Sequence, residues 1–368
     1  MTPFEAVLLE EPVFKEGKTL LHLKGFYILI KGYTDFHYGD RLKIDGEIDS
    51  QGVLKYPKVE KLGQGQGNYF YEKLLSIRKR LTDVIKFSLP EPQATLLSGV
   101  LLGEVGNFSK DFYENLQRSG TIHVVVVSGY NISVITGLVM GLTGTIRRRY
   151  AVILMIGIVI LYTFLTGAQI PTIRAAIMSS VVYLAGVFGR AANSVYLLFL
   201  VAILMMALNP SIAVEVSFQL SFLATLGVLT LTDKFSNYLS RLPRPFKEDL
   251  ATSLAAQALV LPVIFYHFGQ ISLISPIVNG LILWLVPLVT FAGMVLICLG
   301  ILILPLAQIF AWLVWFPLTI FVLVVNYSGS LPIASISVTE KSWWLVVGFY
   351  LVTLSFWLWQ KLKELKQT

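Results

Sequence analysis

The chain has 368 residues, of which 55% are hydrophobic and only 14% charged, with a mean hydropathy of +0.71. That balance excludes an ordinary soluble globular protein, in which about a quarter of the residues are charged. Residues 1–121 hold sixteen basic and sixteen acidic side chains, so the net charge of +7 lies wholly beyond them and marks no basic nucleic-acid patch on the N-terminal part.

Residues 1–62 alternate short apolar runs with Gly, Asp and Ser. Strands are expected at 4–9, 19–30 and 41–48. The pattern predicts a small antiparallel all-β domain, OB-like in kind. GQGQG at 63–67 reads as a flexible linker. The rest of 63–120 carries amphipathic helices at 69–87, 92–102 and 109–118, the last with Ser109 as N-cap. Their apolar faces predict packing on a membrane part or lying at its surface.

Residues 121–360 break into apolar blocks about as long as a bilayer span. Spans are expected near 122–142, 150–166, 171–188, 195–208, 217–232, 251–266, 275–299, 302–326 and 343–360, the fourth being short. The predicted fold class is therefore a polytopic α-helical membrane protein of about nine transmembrane helices, with a small N-terminal all-β OB-like domain and a basic tail at 361–368. With the N-terminus outside, the cytoplasmic segments hold eleven Lys or Arg and the external loops only Lys341. This positive-inside bias predicts an inner-membrane protein with its β domain outside and its C-terminus inside. No secretory signal opens the chain. Export of about 120 polar residues therefore calls for transmembrane helices encoded upstream.

Polar groups within spans are costly and so are functional candidates. On one continuous helix, Ser128 stands about 140° from His123, with Asn131 between them. The three then line one polar arc, too widely spaced for a Ser–His nucleophilic pair. The competing reading puts His123 at the interface and Ser128–Gly129 in a close helix contact. Arg174 follows the GAQIP break. It either snorkels to the headgroups or lines an aqueous vestibule and meets phosphates. Gln219, Gln257 and Asn279 fit interhelical hydrogen bonds. A single cysteine, Cys298, excludes an internal disulfide. The histidines His22, His37, His123 and His267 form no metal-binding pair, so no metal or cofactor is expected. No Walker A, GxGxxG or GxSxG sequence occurs, and the chain is not expected to be an enzyme.

At these motifs the sequence resembles the ComEC competence family. The resemblance is carried by SGTIHVVVVSGYNISVITGL (119–138), LTGAQIPTIRAAIM (165–178), NPSIAVEVSFQLSFLATLG (209–227) and ALVLPVIFYHFGQISLISPIVNGLI (258–282), in that order. YGDRLKIDGEI fits the family's OB-like domain. The resemblance implies an inner-membrane channel that carries single-stranded DNA into the cytoplasm during natural transformation. His123, Ser128, Asn131, Arg174, Gln219 and Asn279 become candidates to line the DNA pathway. Tyr27, Phe36 and Tyr38 of the OB-like domain become candidates to stack on bases. The implied partners are single-stranded DNA, membrane lipid, an external DNA receptor, a type IV-like pilus, a cytosolic ATP-driven motor and a separate nuclease. The nuclease is expected to be separate because the metallo-β-lactamase-like domain of many family members is not represented. Two rival readings remain. A small-molecule secondary transporter calls for internal repeats and a midplane carboxylate. An intramembrane enzyme using His123 and Ser128 lacks a partner base.

Overall fold

The computed structural model describes residues 4–337 apart from 9–12, 16–17, 24–25, 32–33, 35, 37, 46–52, 56, 64–66, 105–107, 126–127, 145 and 245, together with 344, 346–351 and 355.

Seven strands build the N-terminal unit: β1 (Phe4–Val7), β2 (Val13–Lys15), β3 (Lys18–Leu23), β4 (Phe26–Lys31), β5 (Arg41–Asp45), β6 (Val53–Lys55) and β7 (Lys58–Gly63). They form a β1-β5-β7 sheet and a β2-β3-β4-β6 sheet. Alternate residues face inward. Leu42 and Ile44 are buried while Arg41, Lys43 and Asp45 are exposed. Leu8, Leu21, Leu23, Ile28 and Leu54 complete one core shared by the two sheets. The expected segment 19–30 is two strands of a hairpin. The expectation of a purely antiparallel unit is corrected, because β4 and β6 run parallel. Parallel neighbours need a crossover connection, and β5 in the other sheet lies on that crossover.

Helix α1 (Tyr69–Ser88) starts at Asn68, whose side chain accepts from the Phe70 N–H. Glu72 in its first turn and Lys86 in its last complement the helix dipole. The helix stops at Leu89, ahead of Pro90. Helix α2 (Gln93–Leu102) departs from the amphipathic expectation, since all ten of its residues are buried. It packs on α1 and on two long helices, α12 (Leu285–Leu302) and α13 (Leu304–Ser330), in the largest core of the molecule. A helix apolar on every side belongs in an interior, not at a surface. Helix α3 (Lys110–Arg118) is capped by Ser109 as expected, with Oγ accepting from Phe112 N at 3.4 Å.

The first expected span is not one helix. It divides into α4 (Ile122–Val125) and α5 (Gly129–Leu142), with Ser128 in extended conformation as the N-cap of α5. Then come α6 (Arg148–Leu165), α7 (Ile170–Val187), α8 (Ser194–Leu208), a 3-10 turn over Pro210–Val214, α9 (Val216–Tyr238) and α10 (Phe246–Phe268). The expected span 275–299 is also broken, into α11 (Ser275–Ile282) and α12. Strands β8 (Gln270–Ser272) and β9 (Ser335–Ser337) tie the α10–α11 loop to the end of α13.

Six of the described helices are long and apolar enough to cross a membrane: α6, α7, α9, α10, α12 and α13. Helices α5 and α8, at 14 and 15 residues, are shorter apolar helices. The ninth expected span lies mostly outside the described residues. Within its described part, the Tyr350 hydroxyl donates to Leu259 O at 2.6 Å. That carbonyl is next to the one deprived of its helical donor by Pro262 inside α10. Helices α9 and α10 form the most extensive helix pair. Gly227 of α9 lies against the backbone of Ala255 and Ala256, and Ala251 and Ala255 of α10 are fully buried. Small residues are what let two membrane helices approach to backbone contact.

Candidate functional site

The expected site residues fall into separate polar groups, not one arc. The first joins the turn before α4 to α10 and α11. Gly120 takes a positive φ of 71°, which turns the chain between α3 and α4. Its carbonyl oxygen lies 3.0 Å from His123 Nδ1 and accepts from Ser275 Oγ at 3.4 Å. Asn279 Nδ2 donates to Ser275 Oγ at 3.2 Å and to Ser253 Oγ at 2.9 Å. Asn279, Ser253 and Ser275 are all buried, so these bonds form where water does not compete. His123 is exposed at one end of this chain of groups. The SGTIH and SPIVNG segments, whose Gly120 and Ser275 are 155 residues apart in sequence, thus meet through Gly120.

The second group surrounds Arg174 near the start of α7. The GAQIP break that precedes it is irregular as expected, with Gly167 and Ala168 both at positive φ. Pro171 opens the helix, where its missing N–H costs nothing. Arg174 is buried at 7% exposure, so it does not snorkel to a surface. Its Nε donates to Ser221 Oγ of α9 at 2.9 Å, and Nη1 lies 3.5 Å from Met178 Sδ. Its Nη2 lies over Gly129, the first residue of α5. Two more of the matching segments, TIRAAIM and SFQLSF, are therefore joined by one hydrogen bond.

The remaining candidates stand apart. Asn131 is fully buried and donates from Nδ2 to Val100 O at 2.7 Å. That carbonyl belongs to the last turn of α2, where helix acceptors are left open. The Tyr162 phenol of α6 lies beside Asn131. Gln219 is half-buried and closes its own loop, donating from Nε2 to Ala213 O at 3.1 Å. Ser128 caps α5 by position, without a side-chain hydrogen bond. The arc expected for His123, Ser128 and Asn131 is corrected, because a break at Ser128 resets the helical phase. The signal was present in SGYN, since Ser is a preferred N-cap residue and Gly is tolerated beside it. Ser221, Ser253, Ser275 and Tyr162 were not singled out from the sequence. Serine and tyrosine in apolar helices are common, and only the neighbour across the interface gives them meaning.

In the N-terminal unit, Phe36 packs against the β core. Tyr38 holds the junction to α1, because its hydroxyl accepts from Asn68 N at 3.1 Å. Its ring meets Tyr71 edge-on at 4.7 Å between centroids. Both are half-buried in the fold. The side chain of Tyr27 lies outside the described residues. A separate surface recess is lined by Arg149, Val152, Ile153, Leu184, Val187 and Phe188, and by none of the candidates.

A family model described as competence protein matches residues 100–363. The ComE operon protein 3 of Bacillus subtilis (strain 168) is 31% identical over 260 residues, which cover 68% of this chain and 32% of that protein. The chain thus spans about a third of the length of the curated relative it matches. No solved structure matches it. Both polar groups fall inside the matched region.

Proposed function

The chain belongs to the competence protein family, and from that premise we propose that it forms the inner-membrane path by which single-stranded DNA enters the cytoplasm during natural transformation. The observation that carries this reading is the pairing of the matching segments. One partly buried hydrogen bond joins the segments around 119–123 and 275–279, and another joins those around 174 and 221. Polar groups in apolar helices persist where they support a pathway or a site. The bundle offers no carboxylate paired with Arg174 among the described residues, which suits passage of a polyanion. We assign the chain no catalytic step. An external receptor with a type IV-like pilus would deliver the DNA, a separate nuclease would remove the complementary strand, and a cytosolic motor would draw the remaining strand inward.

Deleting the reading frame in a transformable host is expected to abolish conversion of labelled DNA into a nuclease-resistant intracellular form. Wild-type uptake by the deletion strain contradicts the reading. We further propose that the β unit, OB-like in kind, faces outward and the C-terminus inward, on the eleven-to-one distribution of basic residues. Protease added to intact spheroplasts is then expected to remove residues 1–62, and their full protection reverses the orientation.

A further inference from the structure

Helices α6 and α7 meet at one end of the bundle, where the side chain of Arg148 reaches across from α6 and lies over Gly186 of α7. A recess of about 240 Å³ opens between the same two helix ends. The first turns of α6 supply Arg149, Val152 and Ile153, and the end of α7 supplies Leu184, Val187 and Phe188. The i, i+3, i+4 spacing on both helices makes the recess a groove between two facing stripes. Val152 is fully buried and closes its floor, while Ile153, Leu184 and Phe188 are exposed along its sides.

Arg149 is the one polar side chain of the six. It stands among Arg147, Arg148 and Arg190, and all four arginines are exposed. Arg190 is held at this end because its N–H donates to Ala185 O at 2.9 Å, around Gly189 with a φ of 67°. The first turn of α6 carries no acidic residue. Among the described residues none of the four arginines forms an ion pair. Four like charges gathered in this way repel one another, and only counter-ions or an anionic partner relieve the repulsion.

An occupant has to satisfy both halves of the recess. A free phosphate or a nucleic-acid backbone would meet the arginines and leave the apolar walls uncovered. An uncharged chain would cover the walls and leave the charge. The volume is also below the roughly 300–1,000 Å³ of a site for a drug-sized solute. Arg149 is nearest the helix end, and Val152 and Ile153 lie one turn deeper. Cation and apolar groove are therefore ordered as the head and tail of a bilayer lipid are.

We propose that this recess is a binding site for one anionic phospholipid, with its phosphate on Arg149 and the upper part of one acyl chain along Val152, Ile153, Leu184 and Phe188. Arg147, Arg148 and Arg190 add attraction at headgroup level. The site goes beyond the DNA-path reading and does not depend on it.

The test is native mass spectrometry of the full chain released from maltoside micelles. It counts bound phosphatidylglycerol and, at the same mole fraction, phosphatidylcholine with the same acyl chains. One phosphatidylglycerol is expected to be held more tightly than phosphatidylcholine. Arg149→Gln is expected to weaken phosphatidylglycerol binding about fivefold and to leave phosphatidylcholine unchanged. Leu184→Trp fills the groove and is expected to weaken both lipids with all four arginines in place. Arg241→Gln removes an exposed arginine outside the recess and is expected to bind as wild type. Equal retention of the two lipids by the wild type overturns the site, since the recess then takes any chain. Equal losses in Arg149→Gln and Arg241→Gln overturn it as well, because they mark general attraction to a basic surface. Unchanged phosphatidylglycerol affinity in Leu184→Trp overturns the recess as the seat of the chain. Arg149 is exposed, so its variant keeps the fold and decides the site even where Leu184→Trp does not accumulate.

Discussion

Gly227→Leu is expected to remove the folded protein from the membrane and with it all DNA uptake. A side chain at this position meets backbone, not a movable side chain. An ideal Cβ overlaps Ala255 O and stands 3.0 Å from Ala255 C and 3.3 Å from Ala256 Cα. Neither α9 nor α10 has a rotamer to change there, so the helices must separate along their shared face. Separation also breaks the packing on which helix association in lipid depends, since lipid tails are as apolar as leucine. The cost is at least the ~1–3 kcal/mol of an overpacked core. Gly137→Leu in α5 is the control, because nothing lies within 4 Å of its Cβ position. The check is protein level in the membrane fraction and resistance to heat in maltoside. Wild-type values for Gly227→Leu would show that the two helices do not cross closely at this point.

The second large effect belongs to Gly120→Ala. At a φ of 71°, alanine pays the left-handed penalty of roughly 1–2 kcal/mol. Its Cβ also falls 2.5 Å from Ser275 Cβ and 2.6 Å from Ser275 Oγ. Helix α11 must shift, and the shift carries Asn279 away from Ser253. Strain and overpacking together should lower stability by about 3 kcal/mol. Uptake is expected to fall steeply, and the thermal midpoint with it. Gly144→Ala, with 3.5 Å to its nearest neighbour and no positive φ, should behave as wild type. A Gly120→Ala protein with an unchanged midpoint would mean that the turn does not require glycine.

Much of the helix layout was legible in the sequence because capping and apolar run length are local properties. Ser109 announces α3 and is its N-cap, and Pro171 announces α7 and opens it. Residues 150–166 and 171–188 became α6 and α7 within a few positions. Run length alone misled where a run was broken without a charge, the second break being marked only by Pro287 in the first turn of α12. The apolar stretches 122–142 and 275–299 each contain two helices, divided at Ser128 and near Leu283. Helix α2 was misread because hydrophobic periodicity reports which face is apolar, and a helix buried on all sides has no polar face to report.

The candidate residues show the same division. His123, Asn279 and Arg174 were found because a polar group in an apolar run is costly wherever it sits. Their partners were not found, because Ser221, Ser253 and Ser275 acquire a role only from the helix opposite. Tyr38 also serves the junction with α1, through a bond from Asn68 N across 30 residues, a role that the local sequence does not announce.

By itself, then, the sequence determined that this protein lives in a membrane, where many of its helices start, and where its positive charge accumulates. Those follow from transfer free energy, capping and charge counted residue by residue. Only the tertiary structure decided that the first span breaks at Ser128 and that Arg174 packs against the resulting helix end, with no carboxylate paired to it among the described residues. It also brought Gly120 and Asn279 into one chain of hydrogen bonds. Such facts depend on distances between segments far apart in the chain, which no local pattern records.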